Sequence, residues 1–211
     1  TGSSSDDRSG AVTVRTGDAH LSSGDIAVLA GASTSATAGS VSVVAGTSVS
    51  EGGTVIVQSG QGPVGGDIIV VTPEGALDAR SGSTGSIALA TGSAATGDVG
   101  SVHISTGNVA GDGQVGDIAI VGGGATVSTG SNVHIQAGES VAEIGGDIRV
   151  SSGRGPSSGH VLVATPNAAG DGLSGTIEVN TGTVQRGSSG DINLATGASL
   201  SGSGGRLSLR A

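Results

Sequence analysis

The sequence predicts an all-β fold, a parallel β-solenoid (a two-sheet β-roll or β-helix) of about 14 coils at roughly 15 residues per coil. Three observations lead there. A glycine-bounded unit, G-[D/S/T/N]-[I/V]-x-[V/I/L]-x-[T/S/A]-G, recurs along the chain, as GDIAVLAG from Gly24, GSVSVVAG from Gly39 and GDINLATG from Gly190. The composition has 43 glycines and no Phe, Tyr, Trp, Met or Cys, so Val, Ile, Leu and Ala could fill only a thin core. Finally, QSGQGPVGGDIIVVTP from Gln58 is echoed by SSGRGPSSGHVLVATP from Ser151, down to the placing of all four prolines.

Each unit reads as one short extended run. The alternation I-x-V places two apolar side chains on one face and the x positions on the other. Glycines before and after permit the bends that take the chain out of the run. First apolar positions fall at Val12, Ile26, Val41, Val55, Ile68, Leu77, Ile87, Val102, Ile118, Val133, Ile148, Val161, Ile177, Ile192 and Leu207, so that most steps equal one coil. Val49, Val109, Val127, Val141, Val184 and Leu200, in the second halves of coils, are candidates for a second inward set. Stacked coils would pair each run in parallel with its copy in the next coil, ~4.8 Å away.

The prolines follow from the same reading. Pro63 and Pro156 stand in shortened coils, Val55 to Ile68 and Ile148 to Val161, where Gly-Pro fixes a corner. Pro73 and Pro166 follow a run, where a missing N–H costs no ladder bond. The offset between equivalent positions is 93 for Val55 and Ile148, 92 for Ile26 and Ile118, and 90 for Val102 and Ile192. Residues 1–211 are therefore expected to form a single array, uncapped at both ends, with a duplicated multi-coil block at about 26–117 and 118–207. The short steps from Ile68 to Leu77 and from Leu77 to Ile87, around GALDARSG (75–82), mark an irregular rung.

Composition also narrows function. The net charge is −9, the 8 basic residues are all arginine and are scattered, and no aromatic is present to stack on a base, so no nucleic-acid partner is expected. No apolar run reaches the length of a membrane span, so no membrane insertion is expected. Asp25, Asp67, Asp117, Asp147 and Asp191 each open a run after glycine, but no two lie on adjacent rungs, as a calcium ladder would require. The four histidines, His20, His103, His134 and His160, lack a second ligand by spacing. No nucleophile elbow with its strand–helix setting occurs, and no cofactor motif. No catalytic residue, metal ligand or cofactor is assigned, and the chain is read as a non-enzyme.

Two surfaces stand out. A Thr column recurs at the end of the runs (Thr16, Thr72, Thr91, Thr106, Thr165, Thr181, Thr196), interrupted by Gly122, Ala137 and Ser152. It suits corner packing or hydrogen bonding, with an ice-binding face as the alternative. On the outward columns, Ala27, Leu29, Val44, Ile56, Ile69 and Val71 cluster on four consecutive rungs. Contiguous exposed apolar area marks a contact surface, here a lateral contact with another chain or a flanking part of the same one.

The motif G-[D/S]-[I/V]-x-[I/L/V]-x-[T/S]-G, joined by small-residue linkers such as SAATGDVG, resembles the Gly/Ser/Thr/Ala/Val-rich β-solenoid arrays of large extracellular or surface proteins of algae and related protists. The resemblance runs from Val12 to Leu209. It implies an extracellular or cell- or particle-surface protein with a structural, scaffold or adhesive role as a rod or filament segment, and it carries over no catalytic residue. Partners expected on this reading are further copies, end to end or laterally, or flanking parts of a longer chain. The many Ser and Thr hydroxyls offer acceptors for O-glycans, and no N-x-S/T sequon occurs. The alternatives are an ice-binding β-solenoid and a calcium-stabilised β-roll.

Overall fold

The computed structural model describes residues 9–74 and 83–210. The GALDARSG irregularity, with Leu77 and Asp78, lies outside the described residues. Within them the expected β-solenoid is absent, because no residue is in a helix or a strand. The chain instead alternates straight runs with bends. The bends fall at 20–21, 34–36, 49–50, 62–64 and 95–97 in a first unit, Thr1–Ile104. A second unit, Ser105–Ala211, bends at 110–112, 126–128, 141–143, 155–157, 169–171, 185–187 and 200–202. The period of about 15 residues is thus carried by the backbone, without the sheets.

What replaces the ladder is local. Among the described residues the backbone–backbone hydrogen bonds are Gly39 N to Gly31 O (3.0 Å), Gly53 N to Gly46 O (2.9 Å) and Gly66 N to Gly60 O (3.1 Å) in the first unit. In the second they are Ser131 N to Gly123 O (3.0 Å), Gly146 N to Gly138 O (2.9 Å) and Gly159 N to Gly153 O (3.1 Å). Each joins the two ends of one bend, pinching it into a small closed loop of the Ω kind. A solenoid needs bonds between residues a full coil apart. Even the widest of these closures, Gly31 to Gly39, Gly123 to Ser131 and Gly138 to Gly146, spans a single bend.

The side chains at the pinch explain the corner column. The half-buried residues among those described are Thr16, Ala45, Ser59, Thr72, Ala137 and Thr165, all at the end of a run. Each lies close to the glycine that starts the next run. A Cβ on Gly53 would come within 3.2 Å of the Ala45 methyl, and one on Gly175 within 3.0 Å of Thr165 Cγ2. Glycine on one side and a small residue on the other are therefore a matched pair. Thr165 adds a hydrogen bond, its hydroxyl donating to Gly175 O at 3.2 Å. The bends carry their own pins: Ser33, Ser140 and Ser199 accept from the N–H three residues later, in Ala36, Glu143 and Gly202. Such serine bonds compete with regular structure and favour turns.

The echo noted in the sequence recurs in this bonding. The Gly66–Gly60 and Gly159–Gly153 closures occupy equivalent places in the two phrases and have the same length. In both, the glycine before proline is required, since a Cβ on Gly62 would meet Val64 O at 3.0 Å and one on Gly155 would meet Ser157 O at 2.9 Å. The drifting offset is absorbed in the loops. Between Gly46 and Gly53 the chain reads TSVSEG, and between Gly138 and Gly146 ESVAEIG, one residue longer, which turns 92 into 93. The segment between Thr72 and Gly85 is three residues longer than that between Thr165 and Gly175, which turns 93 into 90. At the first, the backbone closure is kept at 2.9 Å in both loops, and at the second, the contact of a threonine with the next glycine is kept, Thr72 with Gly85 and Thr165 with Gly175.

The expected narrow core is missing too. None of the described residues is buried. The accessible surface is 21,276 Å², against about 8,500 Å² for a compact chain of this mass and about 28,000 Å² for an unfolded one. Of the supposed second inward set, Val49, Val127, Val141 and Leu200 are about fully exposed, and Val109 and Val184 are partly shielded but not buried. The physical reason is a balance of small terms. Ordering a glycine-rich backbone costs more conformational entropy per residue than any other, and Val or Ala stacked in a thin coil returns little buried area.

In dilute solution, amide hydrogen exchange should be close to unprotected across Ile68–Val71 and several-fold slower at Gly39, Gly53, Gly66, Ser131, Gly146 and Gly159. Equal rates at the two sets would contradict the pinched loops. Gly155→Ala should bring the Gly159 amide to the rate of its neighbours by driving a Cβ into Ser157 O, whereas Gly153→Ala, with open space around its Cβ position, should leave it slow.

Candidate interaction surface

Between the pinches, side chains two residues apart share a face, as in any extended chain. Asp147 accepts from Arg149 at 2.6 Å, Glu178 accepts from the Asn180 amide at 2.9 Å, and His134 Nε2 lies 3.0 Å from Gln136 Oε1. Five of these six residues are at x positions, and Asp147, just before the first apolar residue, lies on the same face as Arg149, so these side chains form a polar face. The apolar positions follow the complementary alternation. In the described runs after the first, the first apolar residue is the better shielded, as Ile26 at 53% exposed against Val28 at 74%, because it lies nearer the pinch.

The six residues expected to form a lateral contact, Ala27, Leu29, Val44, Ile56, Ile69 and Val71, are all exposed. No ladder stacks their four runs, so sheet pairing does not gather them into one face. Their exposure also ceases to be distinctive, since the residues read as inward, such as Val28 and Val70, are exposed as well. What the structure offers is a set of apolar-studded runs, each with its backbone N–H and C=O groups free of backbone partners between the pinches.

Chemistry is sparse elsewhere. Among the described residues no three His, Asp or Glu side chains come together to hold a metal ion. The Arg149–Asp147 ion pair is exposed at both partners and contributes little. An open hollow of about 400 Å³ lies within the loop from Gly182 to Gly190, lined by Thr181, Gly182, Thr183, Val184, Gly187 and Ser189. Its lining holds hydroxyls and backbone but no titratable side chain, so it offers no acid, base or nucleophile pair. No helix among the described residues is long and apolar enough to cross a membrane.

At the Gly-Pro corners read from the sequence, Gly62 and Gly155 are each fixed by a carbonyl two residues ahead. Sequence reasoning missed one kind of position. Gly97 and Gly187, at equivalent bends of the two blocks, hold φ of 90° and 109°, and Gly170 holds 63°. These values lie where only glycine sits without strain. The T-G-x-x-x-x-G pattern from Thr91 and Thr181 leads to the first two, but the same pattern from Thr196 leads to Gly202, which has no positive φ, so it does not single them out.

Comparison of the chain with family models, with curated proteins and with solved structures finds no match.

Gly187→Ala should cost about 1–2 kcal/mol locally, read as faster exchange of the amides from Gly182 to Gly190, with the loop around Gly97 unaffected. Loss at both loops together would show that the two units are not independent at these corners.

Proposed function

We propose that the chain is a structural segment of an extracellular or particle-surface assembly, serving as scaffold through association with further copies or with flanking chain. The observation that supports this is the unburied state of the whole apolar alternation. Val, Ile and Leu recur at fixed phase along the chain, yet every one of those described is at least 44% exposed. Apolar area of this extent, beside unpaired backbone groups, is a contact surface by its chemistry. The reading gives the alternation a purpose that a solitary chain does not. It assigns no catalytic step, cofactor or metal, and it leaves the Ser- and Thr-rich loops free to carry O-glycans. The surface location rests on composition and on the resemblance to Gly/Ser/Thr-rich arrays.

The ice-binding alternative draws no comparable support. Thr16, Thr72 and Thr165 are shielded in the pinches, and the Thr165 hydroxyl is spent on Gly175 O, so these positions do not offer a flat array.

Electron microscopy and sedimentation of the chain over a concentration series test the proposal. Assembly at micromolar concentrations is expected, unchanged by chelator. Ile56→Thr with Ile69→Thr should weaken it by roughly 30-fold, from the apolar area removed at two sites. Because like-charged chains of net −9 must approach, added salt should strengthen association. A chain that stays monomeric at every concentration and salt would overturn the proposal.

A further inference from the structure

The proposal of self-association leaves open which runs meet, and the doubled phrase answers it. The run Asp67–Thr72 reads DIIVVT and contains the longest unbroken stretch of Val, Ile and Leu in the chain, Ile68 to Val71. Its echo, His160–Thr165, reads HVLVAT. Both runs are apolar on both faces, where most others alternate with Ser, His, Arg, Glu or Asn. Ile69 is 77% exposed and Leu162 87%. None of the backbone–backbone bonds among the described residues involves residues 67–73 or 160–166. Each run follows the same Gly-Pro loop, closed by the same 3.1 Å bond. Each ends in a half-buried Thr followed by proline.

All four prolines of the chain flank these two runs. Proline has no N–H to donate, so it ends a ladder at the place where it stands. Prolines beside exposed β-prone stretches act as gatekeepers that limit pairing to a defined length. The chain thus brackets both copies of this apolar run, and the six residues of each run lie between the brackets.

We propose that the run Asp67–Thr72 of one molecule pairs edge to edge, in parallel and in the register of the doubled phrase, with the run His160–Thr165 of a second copy. The inference rests on the self-association reading above and names its contact. Charge selects the pairing. In this register Asp67 lies opposite His160, which can donate an N–H to the carboxylate. Pairing either run with its own copy in parallel would set Asp67 against Asp67 or His160 against His160, and like groups directly opposite are unfavourable. The register also aligns Ile68 with Val161, Ile69 with Leu162, Val70 with Val163 and Thr72 with Thr165, so that proline meets proline at both ends. Extended runs with free backbone groups take a partner strand readily. After one such pairing the first molecule keeps its 160–165 run unused and the second keeps its 67–72 run. The contact is head to tail and propagates, which suits a scaffold.

Two measurements on the full chain test this. Sedimentation equilibrium on Asp67→Lys and His160→Asp should show association weakened about three- to fivefold by either change, and restored when both are combined. Asp191→Lys, at an equivalent opening position elsewhere, should have no such effect. Because the chain has no cysteine, Val71→Cys and Ala164→Cys chains of different mass can be mixed and oxidised. The mixed disulfide should predominate, since opposed residues lie within disulfide reach. Predominance of either homodimer would overturn the pairing, as would a doubly substituted chain that closes on itself at a rate independent of concentration. Assembly that persists with all three charge variants unchanged would overturn this contact and leave the scaffold reading standing. Failure to assemble at all would remove both.

Discussion

The contact between a small side chain at the end of one run and the glycine that opens the next holds what order this chain has. It has two parts, a methyl or hydroxymethyl group against a bare Cα and an N–H to carbonyl bond across the same gap. At Gly53 the two coincide, with the Ala45 methyl beneath the glycine and Gly46 O accepting its N–H. A side chain on the glycine would close the gap and separate the bonded atoms. Each loop is thus a self-contained unit whose closure depends on its neighbours hardly at all. This locality gives the chain a regular period without a core, because regularity here comes from repeating one small closure rather than from stacking.

It also sets the energetics. A loop of five to seven residues costs little entropy to close, and one hydrogen bond with a few van der Waals contacts returns about as little. Nothing in that exchange grows with the length of the array. A chain built so keeps its described apolar residues exposed. On the association proposed above, their burial would come from surfaces that other copies supply.

How much of this the sequence revealed can be followed residue by residue. The corners were legible, because glycine, Gly-Pro and the end-of-run Thr, Ala or Ser carry physical requirements that act within a few residues. Bends fall in the spacers between the quoted units, and Thr165 makes the kind of corner hydrogen bond that its place suggests. The alternation of Ile148, Arg149 and Val150 correctly marks an extended run with a polar x face. The solenoid was not legible. Alternation says which way side chains point, and says nothing of whether run pairs with run. That depends on the difference between buried area and ordering entropy over many residues, a sum to which every glycine contributes the wrong sign. The patch from Ala27 to Val71 was inferred by stacking rungs, so it lost its geometric basis together with the ladder. Gly97 and Gly187 owe their positive φ to the bend around them, which no single residue announces.

Ile144, the extra residue of the loop between Gly138 and Gly146, is 93% exposed, and the closure around it matches the 2.9 Å of its shorter counterpart. An insertion that would throw a stacked coil out of phase is simply extruded here. The genetic consequence is considerable. Slippage and unequal recombination, to which repetitive coding sequence is prone, can add or remove single codons in a loop, or whole units, without a compensating change elsewhere. Such a chain can vary in length between related genes while every remaining corner stays intact, and natural selection is left to act on reach rather than on folding.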